Sequence, residues 1–283
     1  MFVDPSFNPN AIWSQWNFAP LQTAPALAAL ALYGAGLYAT GVRAVSRARA
    51  ACFVAGVFVA LGAVVSPLHS AAGAKFSMHM LQHQILMLVG APLLIAGRPG
   101  LVMALALPVR LRKLSWAFGR TKPVAAMLRL LKNPLLILLV YAGVLWIWHL
   151  PGPYDAAVRS SAVHAFEHIS FFGVALAFWA GVMRTGPRRR VRYVPSIGLV
   201  LGTMLLSSWL AAILTFGRVA YPIYAQRAAL LHIDPLLDQQ LAGSIMWLPS
   251  TIVFFAIFGV LFVRWFRELD ARHPRRGTVM SEP

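Results

Sequence analysis

Residues 194–214 read VPSIGLVLGTMLLSSWLAAIL, a run that contains no charged side chain. As an α-helix, a run of this length spans the roughly 30 Å hydrocarbon core of a bilayer, and a helix satisfies its own backbone hydrogen bonds there. Similar runs recur along the chain, and each is a candidate membrane span: 20–42, 50–68, 78–97, 134–150, 164–183, 194–214 and 242–264. The sequence therefore predicts an all-α polytopic membrane protein, a bundle of seven transmembrane helices.

The composition supports a membrane protein and limits the chemistry available to it. Hydrophobic residues make up 59% of the 283 residues and charged residues only 12%, about half the charged share usual in soluble domains. So apolar a chain does not belong to the disordered class. Because Cys52 is the only cysteine, an intramolecular disulfide and a thiolate cluster are excluded. His, Met and carboxylate side chains remain as metal ligands.

The basic residues are distributed unevenly, and this predicts the orientation in the membrane. The chain has 25 Lys and Arg against 8 Asp and Glu, a net charge of +17. Of these 25, 21 lie in linkers 43–49, 98–133 and 184–193 or after residue 263. Since positive residues stay in the cytoplasm, the N-terminus is predicted outside and the C-terminus cytoplasmic. The excess of basic residues then faces anionic lipid, so binding to nucleic acid is not needed to explain the positive net charge.

The predicted organisation is one membrane domain with two terminal segments. Residues 1–19 form an outer N-terminal segment, residues 20–264 the membrane domain, and residues 265–283 a basic cytoplasmic tail. Within the domain, apolar and basic residues alternate in linker 98–133. This pattern predicts an amphipathic helix on the anionic cytoplasmic leaflet.

Seven of the eight histidines fall at the predicted outer boundary, where two pairs have helical spacing. His79 and His83 are four residues apart, as are His164 and His168, so each pair shares one helix face. Ionisable side chains near hydrocarbon are costly and indicate function. The pairs therefore predict a shared metal site with the ligands His79, His83, His149, His164 and His168. The residues predicted to support these ligands are His69, Met87, Asp155, Glu167, Asp238 and Met246.

The residue types leave the metal and the chemistry open. Imidazole with thioether favours copper, whereas imidazole with carboxylate favours zinc or iron. Histidines on facing helices also permit haem binding, so a haem or redox protein is the main alternative. Residues 164–168 read HAFEH, which matches the H-x-x-E-H pattern of inverted zinc proteases. Since only three positions of that pattern are specified, an integral-membrane metalloenzyme is the weaker alternative.

Four ordered motifs carry a family resemblance. They are HMLQH at 79–83 followed by APLLIAGRP at 91–99, WHLP at 148–151 with Tyr154 and Asp155, His164 with Glu167 and His168, and DQQLAG at 238–243 leading to Met246 and Trp247. Together they resemble the CtaG-type cytochrome c oxidase assembly factors, whose seven-span architecture agrees with the span count.

The resemblance implies a multi-pass protein of the bacterial plasma (inner) membrane that serves assembly of haem–copper oxidases. Its expected partners are cytochrome c oxidase subunits, and its expected task is to supply or insert copper without catalysing a reaction. The residues that the resemblance marks as functional are His79, His83, His149, His164, Glu167, His168 and Asp238.

Overall fold

A computed structural model describes residues 14–18, 20–40, 44–130, 132–184 and 193–272, and every regular element in these ranges is helical. The helices are α1 (Pro20–Ala39), α2 (Arg47–Val65), α3 (Pro67–Ala74), α4 (Phe76–Gln84), α5 (Ala91–Ala96), α6 (Pro99–Ala106), α7 (Val109–Gly119), α8 (Lys122–Leu130), α9 (Pro134–Trp148), α10 (Pro151–Arg159), α11 (Ser161–Met183), α12 (Tyr193–Phe216), α13 (Pro222–Leu230) and α14 (Pro235–Arg272). A π-helical turn, Ile85–Gly90, joins α4 to α5.

Five of the predicted spans have the length and apolar composition needed to cross a membrane. They are α2, the continuous helix Phe76–Ala96, α11, α12 and α14, and a sixth is counted if α8 and α9 form one bent span. By itself α9 has 15 residues, whereas α1 has 20 residues but includes polar Gln22 and Thr23. The all-helical membrane architecture is therefore confirmed. The seven-span count and the orientation stay predictions.

Two observed helix ends differ from the predicted span ends for local reasons. The predicted span 50–68 ends early, because Ser66 starts a new helix in which Pro67 takes the first turn, a position that proline favours. In contrast, α14 continues to Arg272 and has 38 residues. At 1.5 Å per residue it is longer than the hydrocarbon core is thick, so it extends beyond the membrane.

The linker 98–133 forms three short helices and not one. Its first helix, α6, packs against α1 and buries Val102 completely. The helices α7 and α8 expose apolar side chains that include Leu114, Trp116 and Met127. The amphipathic character predicted for the linker therefore belongs to α7 and α8, while α6 is part of the folded core.

The bundle has one large core and one small core. In the large core α14 packs along α12 and α4, and α9 packs against α11 and α12. A β-carbon added at Gly243 of α14 would lie 2.8 Å from the backbone nitrogen of Thr215 on α12, so glycine is needed where these helices meet. In the small core, Tyr33 of α1 stacks on Phe53 of α2 at 3.9 Å between ring centroids.

Several predicted features lie wholly or partly outside the described residues. The outer segment is described only over 14–18, and linker 184–193 only at its two ends. The tail beyond Arg272, with His273, also lies outside the described ranges.

Candidate metal site

Three short helices, α3, α10 and α13, lie together over one end of the bundle, which we call the histidine end. The helix α3 packs on α4, α10 on α9 and α11, and α13 on α3 and α14. The rings of Tyr154 in α10 and Tyr221 next to α13 are 4.2 Å apart. Below this cover, α4 and α11 bring their histidines together.

Four side chains at the histidine end converge closely enough to hold one metal ion. His79 and His83 come from α4, and Glu167 and His168 come from α11. Each offers a ligand atom, and these four atoms all lie within 4.8 Å of one another. The ring centroids of His79 and His83 are 4.4 Å apart, and those of His83 and His168 are 4.8 Å apart. We call these four residues the His/Glu cluster.

Three members of the His/Glu cluster are buried and His168 is half-buried, and the cluster holds polar atoms without partners. His79 and Glu167 are 2% and 1% exposed, and His79 Nε2 lies 3.5 Å from Glu167 Oε1. Among the described residues, His79 Nε2, His83 Nε2 and Glu167 Oε2 have no hydrogen-bond partner. An unsatisfied buried polar atom is costly, and several of them facing each other are satisfied together by a cation.

His164 and His69 lie at the edge of the His/Glu cluster. His164 Nε2 is 3.0 Å from His168 Nε2, a separation that suits either a hydrogen bond or two ligands of one ion with bonds of about 2.0 Å. The His69 ring lies 5.6 Å from that of His164. Both residues are half-buried, as is His168, whereas His79 and His83 are buried.

Tyrosines from the covering helices pack against His79. The Tyr224 hydroxyl donates to the carbonyl of Ala72 at 2.8 Å and lies 3.4 Å from His79 Nδ1. The Tyr154 ring lies 5.6 Å from the His79 ring. Burial raises the pKa of Tyr154 and of Tyr224 above the ordinary value of 10.0, so both phenols stay protonated and neutral beside His79.

Gln82, also on α4, contacts His69. Its amide nitrogen donates to the carbonyl of Ala63 at 2.7 Å and lies 3.1 Å from His69 Nδ1. Burial, and then the neighbouring His79, lowers the pKa of His69 below 6.5. A neutral His69 keeps a nitrogen lone pair for a hydrogen bond or for a metal ion.

Asp238 supports the site from a distance by capping α4. Its carboxylate accepts the backbone N–H of Phe76 at 2.7 Å, and it also accepts the Ser77 hydroxyl. The next residue, Gln239, accepts the N–H of Ala220 and donates to the carbonyl of Arg218. These two side chains of α14 thus hold the start of α4 and the connection between α12 and α13.

His149 lies apart from the His/Glu cluster, on a small cavity deeper in the bundle. The Phe171 ring packs against both His83 and His149, at 4.6 and 6.1 Å between centroids. The cavity has a volume of about 20 Å³, and Met87 and Met246 line it together with both histidines. The structure therefore places the predicted ligand His149 with these two methionines.

Asp155 is the remaining predicted supporting residue. It lies on α10, and its Oδ1 atom is buried without a hydrogen-bond partner among the described residues. Its charge contributes to the raised pKa of Tyr221, after burial and Glu167. Asp155 therefore belongs to the tyrosine-rich cover of the histidine end.

Some residues of the site carry little signal in the sequence. Tyr224 and Gln82 contact His79 and His69, but neither belongs to a spacing pattern that indicates a ligand. The cover formed by Tyr154, Tyr221 and Tyr224 arises only when α10 and α13 fold over α4. The sequence gives one weak indication of this cover, because Tyr221 and Tyr224 occur in one short segment between two predicted spans.

The arrangement defines a class of protein: a helical membrane protein with a buried imidazole and carboxylate group able to hold a metal ion. The model of the family described as cytochrome c oxidase caa3 assembly factor (Caa3_CtaG) matches residues 31–268. The chain belongs to this family, which confirms the resemblance carried by its motifs.

More distant relatives are proteins from mycobacteria. An uncharacterized protein of Mycobacterium leprae is 25% identical over 210 residues, which cover 69% of this chain and 30% of the relative. Uncharacterized proteins of Mycobacterium bovis and Mycobacterium tuberculosis are each 23% identical over 209 residues, with the same shares of both chains. This chain thus spans about 30% of the length of the relatives it matches. No solved structure matches it significantly.

Proposed function

We propose that this protein binds copper at the His/Glu cluster and aids its insertion into haem–copper cytochrome c oxidase. The observation that carries the proposal is the convergence of His79, His83, Glu167 and His168 within 4.8 Å in a buried site. Membership of the oxidase assembly factor family supplies the process. Copper is the metal that this process requires and that imidazole ligands bind well.

The position of the His/Glu cluster suits a carrier that releases its ion. Its ligands lie under the short helices α3, α10 and α13, and the half-buried residues His69 and His164 lie next to them. Imidazole ligands exchange one at a time and bind metal only when neutral. A copper ion held there can pass to a partner by ligand substitution, without a reaction catalysed by the protein.

The proposed setting is the bacterial inner membrane, with the histidine end on the outer side. The uneven distribution of basic residues supports this orientation. The exposed apolar side chains of α7 and α8 support contact with the anionic cytoplasmic leaflet. The proposed protein partner is the oxidase subunit that receives copper.

Copper is preferred to haem as the ligand of the small cavity next to the histidines. The cavity next to His83 and His149 has a volume of about 20 Å³, which is enough for one water molecule or one ion. An absorption spectrum of the purified protein tests this preference, because bound haem gives a Soret band.

The proposed function is tested by the copper content of the oxidase. Cells that lack this protein are complemented with the wild type, with His79→Ala/His83→Ala, or with His232→Asn as a control. His232 is an exposed histidine with a left-handed backbone (φ 53°), which asparagine tolerates well. We expect copper-depleted oxidase only with the double variant. Equal copper in the oxidase from all three strains would refute the proposal.

A further inference from the structure

The cavity below the His/Glu cluster has a lining suited to a different kind of metal ion. It is lined by His83 and His149 together with the side chains of Met80, Met87 and Met246. These methionines are 2%, 6% and 3% exposed. Thioether sulfur is a soft ligand that favours Cu(I), whereas the carboxylate of Glu167 in the His/Glu cluster favours harder divalent ions.

The hydrogen bond made by the His149 ring leaves its Nε2 atom available as a metal ligand. His149 Nδ1 lies 2.7 Å from the carbonyl oxygen of Leu145. Because a carbonyl only accepts, Nδ1 carries the proton and Nε2 carries a lone pair. That Nε2 atom is buried without a hydrogen-bond partner among the described residues, and His149 is only 8% exposed. Metal-binding histidines commonly have this second hydrogen bond.

The backbone around Met87 departs from a regular helix and is held in that shape. Met87 lies in the π-helical turn Ile85–Gly90, and such turns are frequent at functional sites. The indole nitrogen of Trp179 donates to the Met87 carbonyl at 2.8 Å. Since α11 thus fixes the turn from across the core, Met87 is held on the cavity wall.

We propose that this cavity is a second metal site, selective for Cu(I), with His149, Met87 and Met246 as its principal ligands. His83 lies on both the cavity and the His/Glu cluster, so it connects the two sites and permits an ion to pass between them by ligand exchange. The proposal deepens the proposed function and rests on it for the identity of the metal. We call the His/Glu cluster the outer site and the cavity the inner site. We expect harder metal ions to prefer the outer site and Cu(I) to prefer the inner site.

Metal titration of the purified protein tests the inner site. Under anaerobic, reducing conditions we expect the wild type to bind two equivalents of Cu(I), and in a separate titration one equivalent of Zn(II). Met87→Leu/Met246→Leu, which nearly preserves side-chain volume, is expected to lose one Cu(I) and keep its Zn(II). Retained Zn(II) shows that this variant is folded. Met204→Leu, a methionine outside the cavity lining, is the matched control and is expected to keep both.

A variant of the outer site separates the two proposals. Glu167→Gln/His168→Ala is expected to lose Zn(II) and one Cu(I), and X-ray absorption of the remaining Cu(I) is expected to show sulfur ligands. A wild type with one Cu(I), unaffected in Met87→Leu/Met246→Leu, would overturn the inner site and leave the His/Glu cluster intact. Full metal binding by Glu167→Gln/His168→Ala, with loss of Cu(I) only in the methionine variant, would support the inner site and count against the proposed function.

Discussion

The carboxylate of Asp238 accepts the backbone N–H of Phe76 at 2.7 Å, across 162 residues of chain. The first turn of a helix has unsatisfied N–H groups, and a carboxylate near it also interacts favourably with the helix dipole. Here the carboxylate comes from α14 and the helix is α4, which carries His79 and His83. Asp238 therefore holds the helix that carries these two histidines in place without itself belonging to the His/Glu cluster.

Removal of this cap should weaken both the fold and metal binding. We expect Asp238→Ala to lower the free energy of unfolding by about 1–2 kcal/mol, the upper part of the range for lost caps. The start of α4 should also become more mobile, so metal affinity should fall. Thermal unfolding in detergent and metal titration measure the two effects.

The matched control for Asp238 is Asp234, an exposed residue that caps α14 itself. Asp234 Oδ1 accepts the N–H of Leu236 at 2.8 Å. Asp234→Ala is expected to cost some stability and to leave metal affinity unchanged. Equal losses of metal affinity in the two variants would contradict a specific role for Asp238.

His69 should make the metal-free protein less stable in acid. Burial, followed by the nearby His79, lowers the pKa of His69 in the folded state below 6.5. When the pH falls below 6.5, the unfolded chain binds a proton at His69 that the folded protein does not, so the free energy of unfolding decreases. We expect this decrease to be smaller in His69→Gln. Unfolding temperatures of both proteins from pH 8 to about 5 measure it, and superimposable profiles would refute the expectation.

The contact between α12 and α14 should depend on Gly243. A β-carbon there would meet the Oγ1 atom and the backbone nitrogen of Thr215, so Gly243→Ala is expected to cost about 1–3 kcal/mol through overpacking. Gly259 lies on the same helix with no atom within 4 Å of an added β-carbon. Gly259→Ala should therefore change stability little. Thermal unfolding compares the pair, and equal stabilities would show that the close approach is unimportant.

The predicted orientation is testable with two glycines that have space for a side chain. Neither Gly119 in α7 nor Gly152 in α10 has an atom within 4 Å of an added β-carbon. In a Cys52→Ser background, a membrane-impermeant maleimide should label Gly152→Cys in intact cells and Gly119→Cys only after permeabilisation. The reverse pattern would overturn the orientation derived from the basic residues.

Features with a local sequence signature were predictable. The predicted run 194–214 corresponds to α12 at Tyr193–Phe216, because a long uncharged stretch has few alternatives to a membrane helix. The pair His79 and His83 shares a helix face as its spacing requires. The spacing does not predict that His164 and His168 on α11 lie next to this pair, because that depends on how α4 and α11 pack.

Features that arise from long-range packing were not predictable. The short helices α3, α10 and α13 have eight or nine residues, too few for a clear periodic pattern. The cap at Phe76 depends on an acid 162 residues away. His149 was predicted to share one metal site with the other histidines. In the structure the Phe171 ring packs against both His83 and His149. This contact joins three separate segments of the chain, so no one segment of the sequence predicts it.

If His79, His83, Glu167 and His168 bind one metal ion together, the metal content of the purified protein should depend on them. The wild type and His232→Asn should retain one equivalent of metal at this site, Glu167→Gln should bind at least about tenfold more weakly, and His79→Ala/His83→Ala should lose that equivalent. Metal content that is the same in the double variant as in the wild type would refute a metal site shared by these four residues.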